Sequence, residues 1–73
     1  MKIIKTFSSD DNVKDSVIGL TDEILVVEFY EYGKRIGEIE YPDKSYHYVE
    51  DAAENWVTGV MTQETIKRYK SAA

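Results

Sequence analysis

Two runs of alternating residues, 23–32 and 35–41, flank a turn at 33–35 and constrain the fold of this chain most strongly. Because side chains point alternately to the two faces of a strand, each run divides between two faces of a hairpin. One predicted face is apolar and consists of Leu25, Val27, Phe29, Gly37, Ile39 and Tyr41. The other sets carboxylates beside tyrosines and consists of Glu28, Tyr30, Tyr32, Ile36, Glu38 and Glu40. We expect the first face to be a core and the second to bind a basic partner.

The chain on either side of the hairpin predicts further short strands. Residues 2–7 form an apolar run that indicates a first strand. Residues 13–20 are compatible with a strand or with a short helical turn, and their composition favours a strand near the end of the run. The turn signal at 41–44 contains Pro42, the single proline, and a short strand at 45–49 is expected to follow it.

The period changes to that of a helix near Asp51, which with Glu54 resembles a capping box. The predicted apolar stripe of this helix is Ala53, Trp56, Val57 and Val60. Gly59 is expected to end it, and Thr62 is expected to cap a second helix that buries Ile66 and Tyr69. An amphipathic helix pair needs an apolar surface, and the apolar face of the hairpin provides one.

These elements predict an α+β fold in which an antiparallel sheet of three to four strands packs against two short C-terminal helices. The 73 residues suffice for a single compact domain, 1–73, with a thin core. The absence of cysteine removes disulfides and thiolate metal sites as additional stabilisation. No run is long and apolar enough for a signal peptide or a membrane span. We therefore expect a cytoplasmic protein, or one of the host cell cytoplasm if a phage encodes it.

The charge balance is acidic and uneven along the sequence. Fourteen acidic and nine basic side chains give a net charge of −5, which repels the backbone of nucleic acids. Acidic residues concentrate between Glu23 and Glu54, whereas the C-terminal part carries Lys67, Arg68 and Lys70. The net negative charge disfavours direct binding of nucleic acid and favours a basic protein or ribonucleoprotein complex as partner.

Residues that carry chemistry are few in this chain. His47 is the single histidine, and its neighbours favour a structural or exposed role over a catalytic or metal-binding one. Glu38 and Glu40 lack the deep cleft that acid–base chemistry on a sugar would require. The segments 8–9, 10–12 and 33–37 lack the rest of a nucleophile, calcium or phosphate motif. We predict that the protein is not an enzyme and uses no cofactor or metal.

The six tyrosines divide between core and surface in this interpretation. Tyr41 and Tyr69 are assigned to the core, and Trp56 is assigned to the inward stripe of its helix. Tyr46 and Tyr48 alternate on the segment after the hairpin and, with Tyr30 and Tyr32, could border one aromatic patch. Tyrosine is enriched at protein interfaces, so such a patch would suit binding as well as packing.

Three segments resemble, in the same order, the small type I-F anti-CRISPR proteins of phages. They are residues 1–8, the hairpin 28–37 and the helix 53–59. The resemblance implies an antiparallel sheet backed by two helices. It also implies binding to the repeated backbone subunit that grips the guide RNA of a CRISPR surveillance complex, so that target DNA cannot hybridise. Membership of this family would make the chain a phage protein with no enzymatic activity.

The functional residues of that family match only in part. Its functional glutamate corresponds to Glu28, whereas its two tyrosine positions correspond to Thr6 and to the segment 17–20, which has no tyrosine. A looser resemblance to the KTSC domain, a small module associated with RNA, lies in Ser8-Ser9 and in 16–19, without that domain's cysteine.

Two functions remain after these exclusions. The first is a small acidic inhibitor that binds a basic nucleic-acid-binding surface of a protein or ribonucleoprotein complex and blocks target DNA binding. The alternative is a small RNA-associated regulatory module that acts through its basic C-terminal helix. The excess of acidic residues favours the inhibitor, and its predicted contact residues are those of the acidic hairpin face.

Overall fold

The computed structural model describes the backbone of residues 1–72 and the side chains of residues 1–68. Over this range the elements follow one another as β1 (Lys2–Ser8), β2 (Lys14–Thr21), β3 (Ile24–Glu31), β4 (Lys34–Tyr41), α1 (Tyr46–Val57) and α2 (Gln63–Ala72). The strands form an antiparallel sheet in sequence order. The α+β fold predicted from the sequence is confirmed. The run 13–20, which the sequence leaves open between a strand and a helical turn, lies almost entirely in strand β2. The placement predicted for Tyr69 lies outside the described side chains.

Two-residue turns join the central strands. Asp22 and Glu23 connect β2 to β3, and Tyr32 and Gly33 connect β3 to β4, all four with positive φ angles between 50° and 76°. Positive φ at both turn residues matches the right-handed twist of the flanking strands, which favours tight hairpins. The turn predicted at 33–35 is therefore wrong, because Tyr32 adopts the left-handed conformation and β4 begins at Lys34.

A bulge in β4 changes the faces predicted for its first residues. Phe29 pairs with Gly37 but Tyr30 pairs with Arg35, so Ile36 is an extra residue in β4. Ile36 packs against the core, and Arg35 takes the position opposite Tyr30. The prediction that Ile36 shares a face with Tyr30 is wrong, since simple alternation does not hold across a bulge.

Helix α1 begins five residues before the predicted start. The side chain of Ser45 accepts a hydrogen bond from the backbone N–H of Tyr48 at 3.3 Å and caps the helix. Residues 46–49 are consequently helical, and the predicted strand at 45–49 and the cap at Asp51 are both wrong. The buried residues of α1 are Val49, Ala52, Ala53 and Trp56, and their helical spacing places them on one side of a helix that begins at Tyr46.

The ends of the helices agree with the sequence predictions. Thr58 follows α1, and Gly59, with φ of 87°, adopts the left-handed conformation typical of a helix end. The carbonyl of Thr62 accepts the N–H groups of Thr65 and Ile66 at 3.1 and 3.4 Å, so α2 starts at the predicted position. Val60 is 73% exposed and does not belong to the apolar stripe, because the chain has already left α1.

Both helices pack on one face of the sheet, called here the inner face. Its buried residues form one cluster with the helices: Ile18, Val27, Phe29, Ile39, Tyr41, Val49, Ala52, Ala53, Trp56 and Ile66. Trp56 is fully buried, contacts Phe29 edge to face at 5.6 Å and donates from Nε1 to the carbonyl of Tyr30 at 2.9 Å. Ser16 is also fully buried, and its hydroxyl donates to the carbonyl of Ala53 at 2.9 Å. The predicted core roles of Trp56, Phe29 and Tyr41 are confirmed.

Candidate functional site: the outer face of the sheet

The face opposite the helices, called here the outer face, is organised in three rows that cross all four strands. The strand register gives the rows from β1 to β4 as Ile3–Gly19–Val26–Glu40, Thr6–Val17–Glu28–Glu38 and Ser8–Asp15–Tyr30–Arg35. Directly opposite side chains are about 5 Å apart, so members of a row are in contact range. The row positions bring four carboxylates to one face together with one guanidinium.

Two of these carboxylates stand directly opposite each other. Glu28 and Glu38 pair across β3 and β4, where like charges repel. Arg35 bridges them: its Nε lies 3.4 Å from Glu28 Oε2, and its Nη2 lies 2.8 Å from Glu38 Oε2. The hydroxyl of Tyr30 donates to Glu28 Oε1 at 3.3 Å. We call these four residues the Arg35 cluster, and their mutual bonds hold both carboxylates in fixed positions on the outer face.

The remaining carboxylates extend the negative surface on both sides of the cluster. Asp15 lies beside Tyr30 in its row and accepts a hydrogen bond from the Ser8 hydroxyl at 2.7 Å. Glu40 is exposed at the β4 end of the first row. The outer face therefore carries an excess of negative charge, because one arginine is set against four carboxylates.

Four of the six predicted contact residues come together on this face, namely Glu28, Tyr30, Glu38 and Glu40. Tyr32 lies at the tip of the β3–β4 turn and is 77% exposed, beyond the three rows. Ile36 is turned inward by the bulge. The predicted patch of four tyrosines does not form, because Tyr46 and Tyr48 belong to α1, where Tyr48 packs edge to face on Tyr41 at 5.9 Å.

Arg35 and Asp15 are the site residues that the sequence reasoning missed. Alternation places Arg35 at the junction of the predicted turn and the second strand, and only the register across the bulge shows that it faces Tyr30 and the two glutamates. Asp15 lies in the run whose strand character was ambiguous. The positive charge of Arg35 is a usable signal, since like charges directly opposite each other destabilise a hairpin and a nearby cation offsets their repulsion.

Charged contacts outside the outer face have structural roles. Lys5 Nζ lies 2.9 Å from Glu50 Oε2, and this hydrogen bond raises the pKa of Lys5 and lowers the pKa of Glu50. The pair joins β1 to α1. In the β1–β2 loop, the Ser9 hydroxyl and the N–H of Val13 donate to Asp11 and hold the pKa of that carboxyl below its ordinary value. Both sets of contacts position the chain and leave the outer face free.

Metal-ligating side chains are scattered in the part of the chain that the structure describes. In that range no three His, Cys, Asp or Glu side chains are grouped so that they could hold a metal ion. His47 is exposed on α1. An open depression of about 430 Å³ lies between the β1–β2 loop and the end of α1 and is lined by Ser8, Ser9, Asp10, Asp11, Val57 and Thr58.

The basic residues near the C-terminus are described only in part, because the side chain of Lys70 lies outside the described residues. Lys67 and Arg68 are exposed, and Arg68 lies 3.7 Å from Glu64 one turn earlier in α2.

None of the helices within residues 1–72 is long and apolar enough to cross a membrane. No family model, curated protein or solved structure matches the chain. The resemblances to type I-F anti-CRISPR proteins and to the KTSC domain stay predictions.

Proposed function

We propose that this protein is a small acidic inhibitor whose outer face binds a basic, nucleic-acid-binding surface of a protein or ribonucleoprotein complex. The observation that carries the proposal is the Arg35 cluster. Two glutamates are held in place by an arginine and a tyrosine on a sheet face that neither helix covers. Preorganised carboxylates lose little side-chain entropy on binding, which favours affinity.

The charge of the partner follows from the charge of the face. Carboxylates attract lysine and arginine, and the net charge of −5 accelerates encounter with a positively charged channel. A surface that holds RNA or DNA is such a channel, because it neutralises phosphates with lysine and arginine. A protein bound there would exclude the nucleic acid. The backbone of a guide-RNA surveillance complex, which the sequence resemblance implies, is the first target to test.

Direct binding of nucleic acid is disfavoured by the same charges. A net negative chain gains no free energy from the release of phosphate counterions. The alternative function, an RNA-associated module, would depend on Lys67, Arg68 and Lys70, whose charges are outnumbered by the acidic residues of the chain. We expect no binding of single-stranded RNA or duplex DNA at physiological salt.

The test uses a type I-F surveillance complex loaded with guide RNA and a labelled target DNA. Added protein should prevent the mobility shift of the DNA, and the triple variant Glu28→Gln, Glu38→Gln, Glu40→Gln should inhibit at least about tenfold more weakly, since each lost charged contact is worth roughly 0.5 to 1 kcal/mol at a surface. Glutamine keeps the shape of each side chain and adds no new repulsion around Arg35.

A matched control removes three charges elsewhere. Asp43→Asn, Asp51→Asn and Glu54→Gln are exposed positions away from the outer face, and this variant has the same net charge as the first. It should inhibit as the parent does. Equal inhibition by both triple variants would refute the proposed site. Micromolar binding of labelled RNA that disappears when Lys67, Arg68 and Lys70 are changed to Gln would replace the proposal with the alternative.

A further inference from the structure

The outer face has an apolar half as well as an acidic one. Next to the Arg35 cluster, β1 and β2 place Ile3 and Val17 on this face, and β3 contributes Val26, which is buried. Ile3 is 63% exposed, and Met1 beside it is 52% exposed, although both are large apolar side chains. A solvated sheet face normally alternates with polar residues, so exposed apolar side chains at row positions mark a contact surface.

Gly19 shapes this apolar half. A Cβ atom at position 19 would overlap the side chain of Met1, so the missing side chain leaves a depression in which Met1 lies. Methionine is flexible and polarizable, and it adapts to partners of different shape. Met1 therefore covers the depression with an adaptable surface between Ile3 and Val26.

The edges of the sheet are poorly suited to a partner strand. The outer strands β1 and β4 each contain a register irregularity, between Ile3 and Lys5 in β1 and opposite Phe29 and Tyr30 in β4. Bulges and lysines at edge strands oppose pairing with another strand. A partner would consequently bind on the face of the sheet instead of extending it.

A second copy of the chain does not complement this face. Face-to-face contact of two copies would set the carboxylates of one against those of the other or against the apolar half. The one guanidinium in the three rows, that of Arg35, already bonds Glu28 and Glu38. Like charges across an interface cost free energy, so the charges favour a different, basic partner.

We infer that the outer face receives a basic amphipathic α-helix, whose apolar stripe packs on Met1, Ile3 and Val17 while its lysines or arginines reach Glu28, Glu38 and Glu40. This inference rests on the proposed function and specifies which element of the partner is bound. The axes of the two edge strands of a four-stranded sheet lie about 14 Å apart at the usual spacing, which accommodates one helix of about 10 Å diameter. In such a helix the apolar residues recur with the 3.6-residue period and form one stripe, and the basic residues lie on the other side of the helix.

The probe is a fluorescein-labelled 15-residue peptide of leucine and lysine with its leucines on one helical face. A second peptide of the same composition has its leucines dispersed around the helix. Fluorescence anisotropy should show that the striped peptide binds about tenfold more tightly, and circular dichroism should show that it gains helicity on binding. The double variant Ile3→Thr, Val17→Thr keeps β-branched residues in the strands and should remove most of this preference.

The variants separate this inference from the proposed function. Equal affinity for the two peptides, unchanged in the double threonine variant, would refute the inference that a helix is bound. The acidic site would still stand if Glu28→Gln, Glu38→Gln, Glu40→Gln weakened the binding of both peptides. An unchanged affinity in that triple variant would overturn the proposed function itself. The control with Asp43→Asn, Asp51→Asn and Glu54→Gln should bind as the parent does. Concentration-dependent dimerisation that Ile3→Thr, Val17→Thr abolishes would assign the apolar half to self-association and refute the inference.

Discussion

Replacing Trp56 by alanine should unfold most of the protein, and the structure indicates the magnitude. Trp56 is fully buried between the sheet and α1, and truncating a buried aromatic side chain costs about 3 to 5 kcal/mol. Its indole N–H also donates to the carbonyl of Tyr30, a hydrogen bond worth about 1 kcal/mol. A domain of this size has a total stability of about 5 kcal/mol. Loss of the indole therefore removes nearly all of the free energy of unfolding.

Trp56→Phe provides a graded comparison. It retains an aromatic ring against Phe29 but loses the donor to Tyr30, so we expect a cost of about 1 to 2 kcal/mol. Urea denaturation followed by circular dichroism measures both variants, because Trp56 is the single tryptophan and its fluorescence is lost on substitution. Val60→Ala, at a position 73% exposed, is the control and should change stability by less than about 0.5 kcal/mol.

The expected order of stability is parent and Val60→Ala together, then Trp56→Phe, then Trp56→Ala. A Trp56→Ala variant that loses less than about 1 kcal/mol would show that the layer between the sheet and α1 is not the core. Equal stability of Trp56→Ala and Trp56→Phe would show that the ring contributes nothing beyond its hydrogen bond.

Two further predictions concern local structure. Ser45→Ala should lower the free energy of unfolding by about 1 kcal/mol in urea denaturation, since it removes the cap from Tyr48 N–H, and Ser45→Asp, which keeps a capping oxygen, should not. The pKa of Asp11 is lowered in the folded state, mainly by the Ser9 hydroxyl, so its contribution is present above the ordinary value of 3.8 and is lost as the pH falls through the folded-state pKa. Asp11→Asn should reduce the fall in stability measured below pH of about 5, and an unchanged pH profile would contradict this account.

The fold was largely predictable because the strands alternate clearly between apolar and polar residues and because Trp56 lies in a run with helical spacing. The faces of β3 follow from simple alternation, and Phe29 and Trp56 are in contact because each lies on the inward side of its own element. The start of α1 was not predictable from alternation, because Tyr46 and Tyr48 mimic a strand while Ser45 caps a helix. A serine before an apolar run is compatible with a strand and with a capped helix. The burial of Val49 against the core favours the helix here.

The candidate site was predictable only in part for a related reason. Glu28, Tyr30, Glu38 and Glu40 share a face because strand period places them there. The inward position of Ile36 and the outward position of Arg35 depend on one extra residue in β4, and alternation within a strand does not reveal a bulge. Predicting the apolar half of the outer face requires the register of β1 against β2, and the hairpin pattern gives no information on that register.

The association rate of the protein with a guide-RNA-loaded surveillance complex reports whether the carboxylates of the outer face attract a basic surface. Surface plasmon resonance at about 50 and 300 mM salt, where the screening length falls from roughly 14 to 6 Å, should show a rate that decreases with salt for the parent and for the control triple variant. The outer-face variant Glu28→Gln, Glu38→Gln, Glu40→Gln should associate more slowly and respond less to salt. An association rate that is the same for all three proteins at both salt concentrations would contradict an acidic binding site on the outer face.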